Sequence, residues 1–225
     1  MKHDYHVVKR IFKITDSNWG NTEFEISEKE KVLGSNLPEE LKSFYLIFGK
    51  NEIIQSAINQ FIQLKKLEID DEGRLLIFYD NQTTHCLFFE IDELLKGKAI
   101  LHGQTLLDKT WKFKTQEIFS TIRSKCLQAA LCSIDFRAFK FGVNEKELEK
   151  IGLSFKQLGK YSKFTNTTFF QNNPNQLIGV NISEGTILVS IASKNQHDFD
   201  LMLKKINIDW QFLIEKGVVK IQKIG

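Results

Sequence analysis

Two prolines, two methionines and three cysteines are all that the 225 residues contain of those types. With so few prolines, long Pro-rich linkers are excluded. The cysteines, Cys86, Cys126 and Cys132, are odd in number and show no CxxC spacing, so neither a disulfide framework nor a zinc ribbon is indicated; they read as buried, reduced thiols. No GxGxxG and no GxxxxGK[ST] occurs, which leaves nucleotide-dependent catalysis without a phosphate-binding loop. No stretch approaches the roughly 20 apolar residues of a membrane span. The opening MKHDYHVVKRIFKI lacks the apolar run of a secretory leader. The expectations are therefore a cytoplasmic location and no membrane partner.

Histidine is equally sparse: His3, His6, His85, His102 and His197. His3 and His6 have a spacing that can share a metal, but a solvated N-terminal segment explains them better. His85 and Cys86 resemble a base and a nucleophile only on paper, because neighbours on a strand point to opposite faces. Glu39 and Glu40 are a carboxylate pair about 100° apart on a helix, suited to its dipole rather than to acid–base chemistry. The expectation is a non-enzyme with no cofactor and no metal site.

What is abundant is phenylalanine, 19 residues, in a chain that is 42% hydrophobic and 26% charged. This is globular composition with a core of rigid rings. Charge is segregated along the chain. Residues 1–100 carry 13 Lys or Arg against 17 Asp or Glu, and residues 101–225 carry 18 against 11. The acidic excess concentrates at Glu68, Asp70, Asp71, Glu72, Asp80, Glu90, Asp92 and Glu93. These eight are the candidate partner-binding residues, with two solvated turns as the plain alternative. Basic residues interleave with Trp111 and Phe113 at KTWKFK, where a solvated edge strand accounts for the pattern better than a nucleic-acid stripe.

Along the chain, LPEELKSFYLIFG reads as a helix beginning at Pro38, with Leu41, Phe44, Tyr45 and Phe48 on one buried face and Gly49 as a left-handed stop. FEISEKEKVLG suggests a short strand and a helical turn. IIQSAINQFIQL fits either strand or helix. RLLIFYD and THCLFFEI read as a hairpin, and KAILHG as a third strand. Thr115 is placed as the N-cap of a long helix through TQEIFSTIRSKCLQAALCSI. After residue 136, NEKELEKIG carries a capping box with Gly152 as a stop. TTFFQ, QLIGVNI and ILVSIAS follow as strands, DFDLMLKKI as a helix, and IDWQFLI with VVKIQKI as a closing hairpin. The domain reading is an α+β core over 1–135 and, over 136–225, a C-terminal strand–helix–strand segment that is either a lobe of its own or an extension of the first sheet.

The ordered set LPEELKSFYLIFG, LLIFYDNQTTHCLFFEI and TWKFKTQEIFSTIRSKCLQAAL resembles the SUKH superfamily, the Smi/Knr-type family. The matching positions are Leu37, Pro38, Phe44, Gly49, Asn81, Gln82, Trp111 and Phe119, within residues 25–135. The resemblance implies an α+β fold with an antiparallel or mixed sheet flanked by helices. It also implies an immunity protein that binds and neutralises a cognate polymorphic or contact-dependent toxin, commonly a nuclease or nucleic-acid deaminase. The partner is then a protein rather than nucleic acid. The alternative is a non-catalytic scaffold of the yeast cell-wall-regulator type.

Overall fold

The computed structural model describes residues 5–14, 19–56, 59–80, 85–105, 112–158, 166–183 and 185–221. The chain is α+β, with antiparallel sheets flanked by helices, and divides into two compact units. One is built from 15–123 together with 1–4, the other from 124–225 together with 5–14. Helix α1 (His6–Ile11), which buries Val8 and Ile11, belongs to the second unit.

The first unit opens with α2 (Glu23–Leu33). It is a continuous helix where a strand and a turn were expected, because its start signal lies upstream of the expected segment. Thr22 Oγ1 accepts from the Glu25 N–H at 3.1 Å and Glu25 Oε2 accepts from the Thr22 N–H at 2.7 Å, a reciprocal capping box. Next come α3 (Glu39–Phe48) and α4 (Glu52–Ser56). Pro38 is the N-cap of α3 and not its first helical residue: its ψ of 142° is extended, and its carbonyl accepts from the N–H groups of Leu41 and Lys42. Gly49 is right-handed, at φ −63°, against the left-handed stop expected. Glycine is needed there for room, since a Cβ would lie 1.9 Å from Asn21 Oδ1. The segment carrying Asn21 docks on this helix end, with the Asn21 N–H donating to the Tyr45 carbonyl and the Lys50 N–H to that of Trp19, both at 2.8 Å.

The sheet of this unit runs in the order β1 (Asn59–Phe61), β2 (Arg74–Asp80), β3 (His85–Glu90), β4 (Leu101–Thr105), β5 (Lys112–Thr115), every pair antiparallel. A tight helical turn at Leu64–Lys66 follows β1, and α5 (Ile91–Leu95) follows β3. The region open to either reading thus resolves into α4 and β1. The expected β2–β3 hairpin is present, its turn at 81–84 lying outside the described residues. A chain of rings joins α3 to the sheet: Phe44 to Phe61 at 4.3 Å and Phe61 to Phe78 at 5.2 Å between centroids. Tyr45 Oη donates to the Ile62 carbonyl at 2.7 Å. KFKT forms β5, an edge strand with alternating exposure, as the charge pattern suggested. Glycine at position 103 on β4 accommodates the Phe113 ring from β5, which a Cβ would meet at 1.8 Å.

Helix α6 (Ile118–Ser133) gives its first residues to the first unit and the remainder to the second. Its start is later than expected, because Thr115 is the last residue of β5 and its hydroxyl accepts from the Glu117 N–H instead of capping the helix directly.

The second unit holds β6 (Phe136–Phe141), α7 (Glu145–Ser154), β7 (Lys156–Gln157), β8 (Thr167–Gln171), β9 (Gln176–Ser183), β10 (Thr186–Ser193), α8 (Gln196–Ile206), β11 (Phe212–Glu215) and β12 (Val218–Ile221). Its seven-stranded sheet has the order β12-β11-β6-β10-β9-β8-β7. One face and the helices α7 and α8 build a core from Phe136, Ile178, Val189, Ile191, Phe199 and Met202 among others. On the other face Leu131 of α6 packs over Gly179 of β9, and Gln128 donates to Thr167 Oγ1 at 3.0 Å. The capping box of α7 joins Asn144 and Glu147 as expected, but Gly152 lies inside the helix, which runs on to Ser154. By sequence count, the first unit carries 14 basic and 19 acidic residues, net −5, and the second 17 and 9, net +8.

Candidate functional site

Seven of the eight acidic residues singled out in the sequence fall on three neighbouring parts of the first unit: the turn before β2, the end of β3, and α5; the eighth, Asp80, is at the far end of β2. Asp70 is the hub of the turn. Its Oδ1 accepts from the N–H groups of Glu72 at 3.0 Å and Arg74 at 2.9 Å, and its Oδ2 from Arg74 Nε at 2.8 Å. Gly73, at φ 74°, supplies the left-handed step that closes the turn. Its carbonyl accepts from the Ile91 N–H at 3.0 Å, tying the turn to the start of α5. Arg74 pairs with Asp70 at 2.7 Å and with Glu72 at 3.0 Å. Burial alone would raise the Asp70 carboxyl, but the hydrogen bonds and charge of Arg74 outweigh it and hold the group below its ordinary range. Asp70 is therefore a structural carboxylate engaged by its own turn, not a free recognition group.

A second basic side chain lies across the sheet. Phe88 of β3 is paired with His102 of β4, and the two rings stack with centroids 5.2 Å apart. The Arg74 guanidinium lies 5.4 Å from the centroid of the same Phe88 ring, on the β2 side. The His102 side chain is only 5% exposed, and both its nitrogens face carboxylates. Nε2 lies 2.7 Å from Glu93 Oε2, whereas Nδ1 is 3.6 Å from Glu90 Oε1. Glu90 is the N-cap residue of α5 and Glu93 lies in its first turn, so the spacing of three brings both toward one ring. Lys114, cross-strand to His102 on β5, approaches Glu93 Oε1 at 3.8 Å.

Of the eight candidate residues the structure thus gathers four around two basic side chains: Asp70 and Glu72 at Arg74, Glu90 and Glu93 at His102. Glu68, Asp71 and Asp92 are exposed, and among the described residues they take part in no ion pair. Asp80 ends β2, and its side chain lies outside the described residues.

Arg74, Phe88 and His102 were not among the sequence candidates. Strand register brings them together across β2, β3 and β4, and no linear spacing encodes that. Cys86 is fully buried on β3, and burial pushes the Cys126 thiol far above its usual range, so neither has the character of a nucleophile. His6 is exposed on α1, while His3 lies outside the described residues, as do Asn81, Gln82 and Trp111.

No family model, no curated protein and no solved structure matches the chain.

Proposed function

We propose that the chain is a binding protein that captures and neutralises a protein toxin through the acidic surface of its first unit. The observation that carries this reading is the pairing pattern. The turn and α5 are fixed to each other and to the sheet by Asp70, Arg74, the Gly73–Ile91 hydrogen bond and the Phe88–His102 stack. Glu68, Asp71 and Asp92 are left exposed on that rigid frame. Carboxylates held on a fixed backbone attract a basic partner without the entropic cost of ordering them at the moment of contact. A toxin that acts on nucleic acid has such a basic face, and the ordered SUKH-like motifs point to the same class of partner. No catalytic role is assigned to the chain.

The test takes as partner the product of a toxin-encoding reading frame adjacent to the gene, where one occurs. The triple variant Glu68→Ala, Asp71→Ala, Asp92→Ala should keep the fold, because these side chains are exposed, and should bind more slowly with a flatter salt dependence of the association rate. Stopped-flow association at two ionic strengths, alongside growth rescue on co-expression, reads both. Unchanged kinetics in the folded variant would move the contact surface away from this edge. Failure of the wild-type chain to bind or rescue would favour the scaffold alternative.

A further inference from the structure

We propose that His102 and Glu90, with Glu93 behind the imidazole, form a binding site for a divalent transition-metal ion of the zinc class. The two carboxylates lie at unequal distances from the ring. A carboxylate only accepts hydrogen bonds, so the 2.7 Å contact from His102 Nε2 to Glu93 Oε2 places the proton on Nε2. Nδ1 faces Glu90 Oε1, 3.6 Å away, and in the tautomer that carries its single proton on Nε2 it offers a lone pair on that side. In that tautomer two electron-rich atoms face each other, an arrangement that a cation between them stabilises.

A proton fits this gap poorly, because N–H···O hydrogen bonds concentrate at about 2.7–3.2 Å. A metal fits it well. Zinc–nitrogen and zinc–oxygen bonds of about 2.1 Å in tetrahedral geometry put two donor atoms about 3.4 Å apart. The donor atoms of Glu90, Glu93 and His102 all lie within 4.8 Å of one another. The site is therefore near the dimensions of a bound ion before any ion arrives.

The surroundings are those of a ligating histidine. Stacking on Phe88 fixes the ring plane. Glu93 takes the remaining ring N–H, the carboxylate–histidine–metal arrangement that sets the tautomer and makes the ligating nitrogen more basic. Lys114, 3.8 Å from the other Glu93 oxygen, balances that carboxylate's charge. The Glu90 side chain is 45% exposed, which leaves an approach from solvent and room for water in the remaining coordination positions. One imidazole with carboxylate oxygens suits zinc and its neighbours better than calcium or magnesium, which take oxygen alone.

This site does not depend on toxin binding, and its test uses the full chain alone. Calorimetric titration of the metal-free protein with Zn2+ should give one ion per chain. Co2+ in its place should develop visible absorption bands. The 15N resonance of His102 Nδ1, and not that of Nε2, should move on zinc addition. Glu90→Gln and His102→Gln should each abolish the transition, and Glu93→Gln should weaken binding by about 10- to 100-fold through loss of the ring's support. Asp71→Asn should leave binding unchanged. Glu90→Gln alters a half-exposed side chain, so it remains informative if the buried His102 variant fails to fold. The proposal is overturned if the wild-type chain takes up no zinc or cobalt, or if Glu90→Gln binds as tightly as wild type. Either result leaves the toxin-association test above unaffected.

Discussion

Glu25 illustrates how much of a helix one side chain can specify. The Thr22 N–H, followed by Lys50 with its amino group 3.0 Å away, holds the Glu25 carboxyl down to about 2, against an ordinary 4.5. The folded state therefore favours the charged form. The stabilisation is complete above the unfolded value of 4.5 and disappears as pH falls through about 2. The melting temperature of wild type should accordingly exceed that of Glu25→Ala near neutrality, with the gap narrowing across this acid window. A constant gap down to the lower limit would mean that the capping box acts through shape rather than charge. Asp70 differs in kind, because its carboxylate also closes a turn through two backbone N–H groups. That is why it is left out of the association test.

Among the elements, α3 is the one whose sequence and packing agree most fully. Leu41, Phe44, Tyr45 and Phe48 are all buried, and the Phe44 ring contacts Tyr45, Phe48 and Phe61. Phe44→Ala removes the centre of that cluster and should lower unfolding stability by about 3–5 kcal/mol, measured by urea denaturation; a loss below about 1 kcal/mol would show that the neighbouring rings collapse into the space. α3, α7 and α8 carry apolar faces within their own segments, α3 and α7 with start signals at Pro38 and Asn144, and β2, β3, β9 and β10 are runs of aliphatic and aromatic residues. α2 was misread because only Ile26 and Leu33 are buried on it, and its decisive signal is the Thr22–Glu25 pair. Gly49 departs from the expected stop because a glycine marks either a turn or a close approach, and sequence does not separate the two; Gly152 departs because it sits inside α7 with open space where a Cβ would be, so nothing in the fold requires glycine there. At the site, the carboxylates were visible as composition. Their sorting between Arg74 and His102 depends on which residues face each other across β2, β3 and β4, a long-range fact that no local spacing contains.

For the whole molecule, the α+β class follows from alternating strand-like runs and capped helices, whereas the presence of two separate sheets does not. Nothing in the composition distinguishes separate five-stranded and seven-stranded sheets from a single larger sheet. The division into units has a consequence for the protein as a colloid. Net charge vanishes near pH 8.6, but a net −5 unit and a net +8 unit share the chain, so zero net charge there does not mean that either unit is uncharged. Copies of the molecule then attract through unlike units, an interaction that added salt screens within about 10 Å at 0.1 M. The protein should therefore salt in around its isoelectric pH: the osmotic second virial coefficient from static light scattering should rise from negative toward positive as sodium chloride is added. A coefficient that falls with salt would show instead that apolar contacts govern association between copies.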